Sequence, residues 1–297
     1  MAEPVTDRFL RSQGWLEPVA DLIQRLVGGF YGALGGVGTA LKDLLHGTKL
    51  LGHPLHPALT DMPLGLWTFG VIADLVALNS HLVPTAAGDL ALLFGAVAGL
   101  GAGAAGYTDF HETFGMERRT AVFHGLLMTL VLLLDLVSLL LRWLGGSAAN
   151  PLAVVIAVAA LVVAAVGMFF GGHIVYSFGT MVDHLAFMTG PDEATEVGVP
   201  GDFPENSLKR VQAGDMPVLM VRLEGRLWAI PATCTHAGGP LDEGELSGAI
   251  VTCPWHGSEF DVRSGSVRHG PATFPEPALV VEEAGGKVRV RLAQPLH

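Results

Sequence analysis

Four stretches of the chain are apolar for long enough to cross a bilayer, which takes about 20 residues in a helix. They cover residues 58–79, 85–107, 120–143 and a run from Pro151 past Phe170. Pro151 suits the first turn of a helix. Ahead of them, Trp15, Val19, Leu22, Ile23, Leu26 and Phe30 recur at helical spacing, with Glu17, Asp21, Gln24 and Arg25 between. This predicts an amphipathic helix, either packed on a soluble part or lying in a membrane interface. After about residue 190 the apolar runs shorten to strand length. Residues 218–221 and 227–230 flank the hairpin signal Glu224-Gly225-Arg226. Further strands are predicted at 249–252, at 260–262 and at 278–282 with 287–292, the last two split by Ala284-Gly285-Gly286. Short strands with Gly and Pro turns predict a small barrel or sandwich. The fold class is thus a membrane α-helical bundle of four transmembrane helices plus a small all-β domain. The expected division is an N-terminal segment 1–50, a membrane domain 51–190 and a β domain 191–297.

Composition agrees. Of 297 residues, 50% are hydrophobic and 15% charged, against about 25% charged in ordinary soluble domains. A net charge of −11 without a basic stripe excludes a nucleic-acid partner and, with this apolarity, a disordered chain. Two cysteines, Cys234 and Cys253, exclude a disulfide scaffold. The N-terminus has no basic segment or cleavage site of the secretory kind. Lys42, Lys49, Arg118 and Arg119 lie near the membrane on the side of the termini, and Arg142 alone on the other. The excess of basic residues predicts that both termini are cytoplasmic. The run Gly28-Gly29…Gly35-Gly36-Val37-Gly38 is not a nucleotide fingerprint, since no strand precedes it.

The membrane part carries histidines where ionisable groups are expensive and usually functional. His53 and His56 precede or open the first span, His124 lies early in the third and His173 late in the fourth. In an antiparallel bundle all four fall at the cytoplasmic end, together with Asp61, Asp109, His111, Asp183 and His184. Counting from the outer ends, His124 and His173 reach similar depths, which makes them the best-placed pair. His53 and His56 would then supply a further ligand or a proton acceptor. Three readings stand side by side: ordinary interfacial histidines, axial ligands of a haem, or a polar quinone pocket. A hydrolytic metal site is weaker, because no His-Glu-x-x-His helix exists.

The β part holds Cys234-Thr235-His236 and, sixteen residues on, Cys253-Pro254-Trp255-His256. Two Cys and two His could bind zinc, but zinc loops usually pair like residues at two-to-four spacing. One Cys and one His from each of two small-residue loops suits a Rieske [2Fe–2S] centre, in which two thiolates hold one iron and two imidazoles the other.

Two resemblances follow. The stretch His53-Pro54-Leu55-His56-Pro57-Ala58-Leu59-Thr60-Asp61-Met62-Pro63-Leu64-Gly65-Leu66-Trp67, with four spans, resembles the bacterial membrane family DUF2231 over about residues 50–190. More distantly it resembles four-helix b-type cytochromes. The last 95 or so residues resemble the Rieske ferredoxins through Gly238-Gly239-Pro240-Leu241, Cys253-Pro254-Trp255-His256-Gly257 and Gly270-Pro271-Ala272-Thr273. That resemblance implies Cys234 and Cys253 on one iron and His236 and His256 on the other. Ser258 is present, but Phe260 stands where the respiratory quinol-oxidising relatives have Tyr, and their second Cys pair is missing. Loss of the Tyr donor implies a potential below the high-potential class; the missing disulfide suits a reducing cytoplasm. The length implies that the chain is not a Rieske oxygenase, which needs a further iron domain.

The expected function is membrane-anchored electron transfer. A cytoplasmic Rieske cluster would exchange electrons with a haem b or quinone at the cytoplasmic end of the bundle, in a bacterial-type inner membrane. Its partners would be the lipid bilayer and a redox protein or quinone, and any enzymatic role would be that of a quinone-linked oxidoreductase. The alternative is a Rieske ferredoxin or redox sensor for a soluble partner, with the helices as an anchor only.

Overall fold

A computed structural model describes residues 5–49, 51–145 and 150–293. The chain divides into two compact units, one of residues 1–39 and 55–177, the other of residues 40–54 and 178–297.

The first unit is helical. α1 (Val5–Ser12) and α2 (Leu16–Leu34) precede α4 (Leu55–Asn79), α5 (Thr85–Phe110), α6 (Gly115–Leu144) and α7 (Pro151–Phe178), while α3 (Gly36–His46) crosses the division between the units. α4 to α7 are each long and apolar enough to cross a membrane. Their predicted starts at Thr85 and Pro151 hold, and the other two begin a few residues earlier than hydropathy alone suggested. Small residues bring the helices together, since lipid offers no hydrophobic drive between them. Gly95 and Gly99 of α5 lie under Trp67 of α4, where a Cβ would stand 2.7 and 3.0 Å from the indole. Trp67, Val71, Leu92, Val131, Ala157, Ala160 and Ala164 form the bundle core. α2 packs on the bundle. Leu16 and Ala20 join a cluster with Phe110, Val122 and Phe170. Gln24 Nε2 donates to the carbonyls of Phe110, His111 and Thr113, which cap the end of α5. Arg118 pairs with Glu17 and Asp21. The opposite stripe of α2, Leu22, Leu26, Phe30 and Leu34, is exposed.

The second unit is a β-sandwich. A six-stranded antiparallel sheet has the order β1 (Thr195–Gly198), β10 (Lys287–Leu292), β9 (Leu279–Ala284), β4 (Arg226–Pro231), β3 (Met216–Leu223), β2 (Leu208–Ala213). A four-stranded sheet runs β5 (Glu245–Ser247), β6 (Ile250–Thr252), β7 (Glu259–Asp261), β8 (Val267–His269). The predicted hairpin joins β3 to β4, with Glu224 and Gly225 at φ 53 and 77°, the positive angles a two-residue turn demands. Leu219, Val221, Ile230, Cys234, Val251, Cys253 and Phe260 form one continuous core, so the two cysteines sit in the packed interior. Residues 40–54 fold onto this unit. Asp43 accepts the Gly270 N–H through Oδ1 and faces Lys49 and His269 through Oδ2, at 2.6 and 3.0 Å. Thr48 Oγ1 donates to the Ala272 carbonyl at 3.0 Å.

Candidate metal centre and bundle site

Two loops of the sandwich have the same backbone design. The Cys234 N–H donates to the Gly239 carbonyl at 2.8 Å and the Cys234 carbonyl accepts the Gly238 N–H at 2.9 Å. In the second loop the Cys253 N–H donates to the Ser258 carbonyl at 2.8 Å and its carbonyl accepts the Gly257 N–H at 3.1 Å. Gly238 and Gly257 take φ of 76 and 74°, a conformation that favours glycine. Gly239 is needed for closeness: a Cβ there would stand 2.8 Å from Cys253 Sγ.

The result is a pair of thiols and a pair of imidazoles. Cys234 and Cys253 hydrogen-bond through their sulfurs, and the His236 and His256 rings are 4.9 Å apart at 79°. All four side chains are buried. The Cys234 hydrogen bond, the backbone N–H groups of Trp255 and His256, and the His256 charge outweigh burial and hold the Cys253 thiol down at about 6. The same sulfur contact, with burial, pushes Cys234 up. Burial holds His236 well below the usual imidazole range, hence neutral. Among the described residues both of its ring nitrogens are buried without a hydrogen-bond partner, a costly arrangement unless something else takes the lone pair. Among the described residues no three His, Cys, Asp or Glu side chains converge on a single-ion site. The donor set is two and two, as a two-iron cluster requires.

Three further segments frame the loops. Ser258 Oγ accepts the Ala272 N–H at 3.0 Å, which leaves its own proton to point elsewhere. Phe260 is fully buried in the core that contains both cysteines. Glu276 Oε1 accepts the Thr235 N–H at 2.8 Å, and burial raises its carboxyl well above the usual range. His46 and His184 lie near enough to His236 to disfavour its charge, and the His184 N–H donates to the Thr235 carbonyl at 3.3 Å. The sequence reading missed Asp43, His46, Thr48 and Glu276, and it placed Asp183 and His184 with the helices. No local pattern marks these residues as neighbours of the loops.

In the helical unit the expected pairing changes. His124 meets His56, with ring centres 6.2 Å apart, and not His173. His173 Nε2 instead lies 2.8 Å from Asp7 Oδ1, and its Nδ1 bonds Ser177. His53 belongs to the β unit, where its ring packs edge-on against Phe274 at 6.5 Å. Equal depth along a bundle does not fix which helix faces which.

A Cys-pair and His-pair held by twin loops on a small β-sandwich define a ferredoxin-like electron-transfer domain appended to a membrane helix bundle. Residues 193–284 match the family model described as Rieske [2Fe-2S] domain, and residues 52–184 that described as Predicted membrane protein (DUF2231). The ferredoxin component of biphenyl 2,3-dioxygenase from Rhodococcus jostii is 34% identical over 33% of this chain and 92% of its own length. Ferredoxin CarAc of Metapseudomonas resinovorans is 34% identical over 30% and 84%. A solved complex of oxygenase and ferredoxin in carbazole 1,9a-dioxygenase has a chain 32% identical, covering 34% of this chain and 94% of that one at a TM-score of 0.32. The chain belongs to the Rieske [2Fe–2S] family, its Rieske domain following a DUF2231 membrane domain.

Proposed function

We propose that the protein is a membrane-anchored one-electron carrier. Cys234 and Cys253 hold one iron of a [2Fe–2S] cluster and His236 and His256 the other. The cluster exchanges one electron at a time with its partners. The observation that carries this reading is the pairing of two buried thiols with two imidazoles, one of which has both nitrogens unpartnered. The chain itself supplies the fixed scaffold: a neutral imidazole at His236, dry surroundings and a hydroxyl at Ser258 with a proton to spare. The bundle redox group, a haem or a quinone, sits at His56 and His124. The excess of Lys42, Lys49, Arg118 and Arg119 over Arg142 supports a cytoplasmic Rieske domain, and the exposed apolar stripe of α2 supports a helix at the lipid interface.

A second reading has one observation in its favour. The named relatives are ferredoxins, and each matches about a third of this chain. The helices would then serve only as an anchor for a soluble exchange partner. His256→Ala in the full chain removes the Rieske EPR signal, and His269→Ala leaves it; a signal that survives the loss of His256 overturns the ligand set. Reduction of the cluster by a short-chain quinol in proteoliposomes, lost in His124→Ala, supports the relay. Reduction by a soluble donor alone, unchanged in that variant, supports the anchor.

A further inference from the structure

The contacts between α4 and α6 share one offset. Trp67 Nε1 donates to Asp135 Oδ2 at 2.9 Å, and Arg142 grips Asp74 at 2.5 and 2.9 Å; each pair is 68 residues apart. His56 and His124 have the same separation. Along each helix the three positions are spaced by whole numbers of turns, so they form one stripe. By helical rise the stripe spans roughly 27 Å, close to the thickness of a bilayer core. The second helix of each hairpin repeats the design. His56 Nδ1 bonds the Ala102 carbonyl at 2.8 Å and His124 Nδ1 the Gly167 carbonyl at 2.8 Å. Four residues beyond each carbonyl lies a glycine, Gly106 or Gly171, where a Cβ would stand 2.8 or 3.0 Å from the imidazole. The α4–α5 and α6–α7 hairpins are therefore equivalent halves that present one histidine each.

A carbonyl only accepts, so each Nδ1 carries the proton and each Nε2 keeps its lone pair. Among the described residues neither Nε2 has a hydrogen-bond partner, and both histidines are half-buried. Ligating histidines are usually held in this way, the second nitrogen donating to a carbonyl. Metal–imidazole bonds of about 2.0 Å place two rings on opposite sides of one metal roughly 6 Å apart, centre to centre, as found here. A quinone hydrogen-bonded at both oxygens would spread the rings to roughly 12 Å. Two protein donors suffice only where the ligand brings the rest of the coordination sphere, as a porphyrin does.

We infer that His56 and His124 are the axial ligands of a single haem iron between the two hairpins. This rests on the electron-carrier reading above. Both cysteines are taken up in the β unit, so the porphyrin is held without thioether links.

The test uses the full chain, expressed with δ-aminolevulinate and purified in detergent. Pyridine haemochrome assay of the wild type gives one b-type haem per chain with a six-coordinate low-spin spectrum. His56→Ala and His124→Ala each abolish the low-spin spectrum, His173→Ala retains it, and His124→Met keeps haem but changes its spectrum and raises its midpoint. The Rieske EPR signal, present in every variant, shows that the protein has folded. A wild type with a full Rieske signal and no haem overturns the inference, as does low-spin haem that survives both alanine substitutions. In the haem-free case, cluster reduction by a quinol that depends on His56 keeps the electron-carrier reading and replaces haem by quinone. Absence of the Rieske signal from the wild type sinks the carrier reading itself.

Discussion

Asp43 offers a sharp test of how residues 40–54 join the β unit. Its side chain is 4% exposed. One oxygen takes the buried Gly270 N–H, and the other faces Lys49 and His269. Asp43→Ala strands the Gly270 donor, and a buried group left unsatisfied costs about 1–3 kcal/mol. Lys49 is 57% exposed and His269 41%, so those pairs add at most about 1 kcal/mol together. The expected loss is about 2–3 kcal/mol, which lowers the melting temperature of a unit this size by roughly 8–12 °C. Asp43→Asn keeps the acceptor for Gly270 and loses only the charge, for a loss of about 1 kcal/mol. Acidity adds a sign. Burial pushes the Asp43 carboxyl up, but Lys49, the Gly270 N–H and His269 outweigh it and hold it below the ordinary value of 3.8. A lowered folded value means that the stabilisation is complete above the unfolded value and fades as pH falls through the folded one. The gap between wild type and Asp43→Asn is therefore flat near neutrality and shrinks below about pH 4. The assay is the visible circular dichroism of the cluster, followed against temperature in the detergent-solubilised full chain. An Asp43→Ala protein that melts with the wild type, or a gap that widens on acidification, refutes the reasoning.

Three further outcomes are expected. Ser258→Ala removes the hydroxyl whose proton is free to meet the cluster, and Phe260→Tyr adds a donor in the core shared with both cysteines; protein-film voltammetry should show the midpoint fall in the first and rise in the second. Gly265→Ala puts a Cβ 1.7 Å from the Glu276 carbonyl oxygen at φ 71°, so thermal stability should drop by several kcal/mol, and an unchanged melt would contradict the packing described. Asp74→Leu takes from the buried Arg142 guanidinium one of its two carboxylates, Asp89 being the other, and should cost about 1–3 kcal/mol, whereas Asp74→Leu with Arg142→Leu recovers part of it; denaturant titration in detergent decides, and equal losses would mean that the pair is not coupled.

The four spans and the cluster loops were legible from the chain alone, each for a local reason. A bilayer demands an unbroken apolar run of a set length, and hydropathy records that directly. The C-x-H and C-x-x-H spacings, with glycines at 238 and 257 that permit positive φ, encode the loop geometry within a few residues of each ligand. The Glu224-Gly225 hairpin is equally local. Tertiary structure alone decided the rest. Hydropathy gives depth in a membrane but not the azimuth of a side chain, so His124 and His173 looked matched, while the 68-residue repeat set His124 against His56 and Asp7 took His173. The polar face of α2 meets the bundle, where the two N–H groups of Gln24 Nε2 are shared among three carbonyls at the end of α5. Glu276 reaches the first cluster loop across 41 residues, and Asp43 and Thr48 reach Gly270 and Ala272 across 227 and 224, and no local pattern encodes a partner that far away.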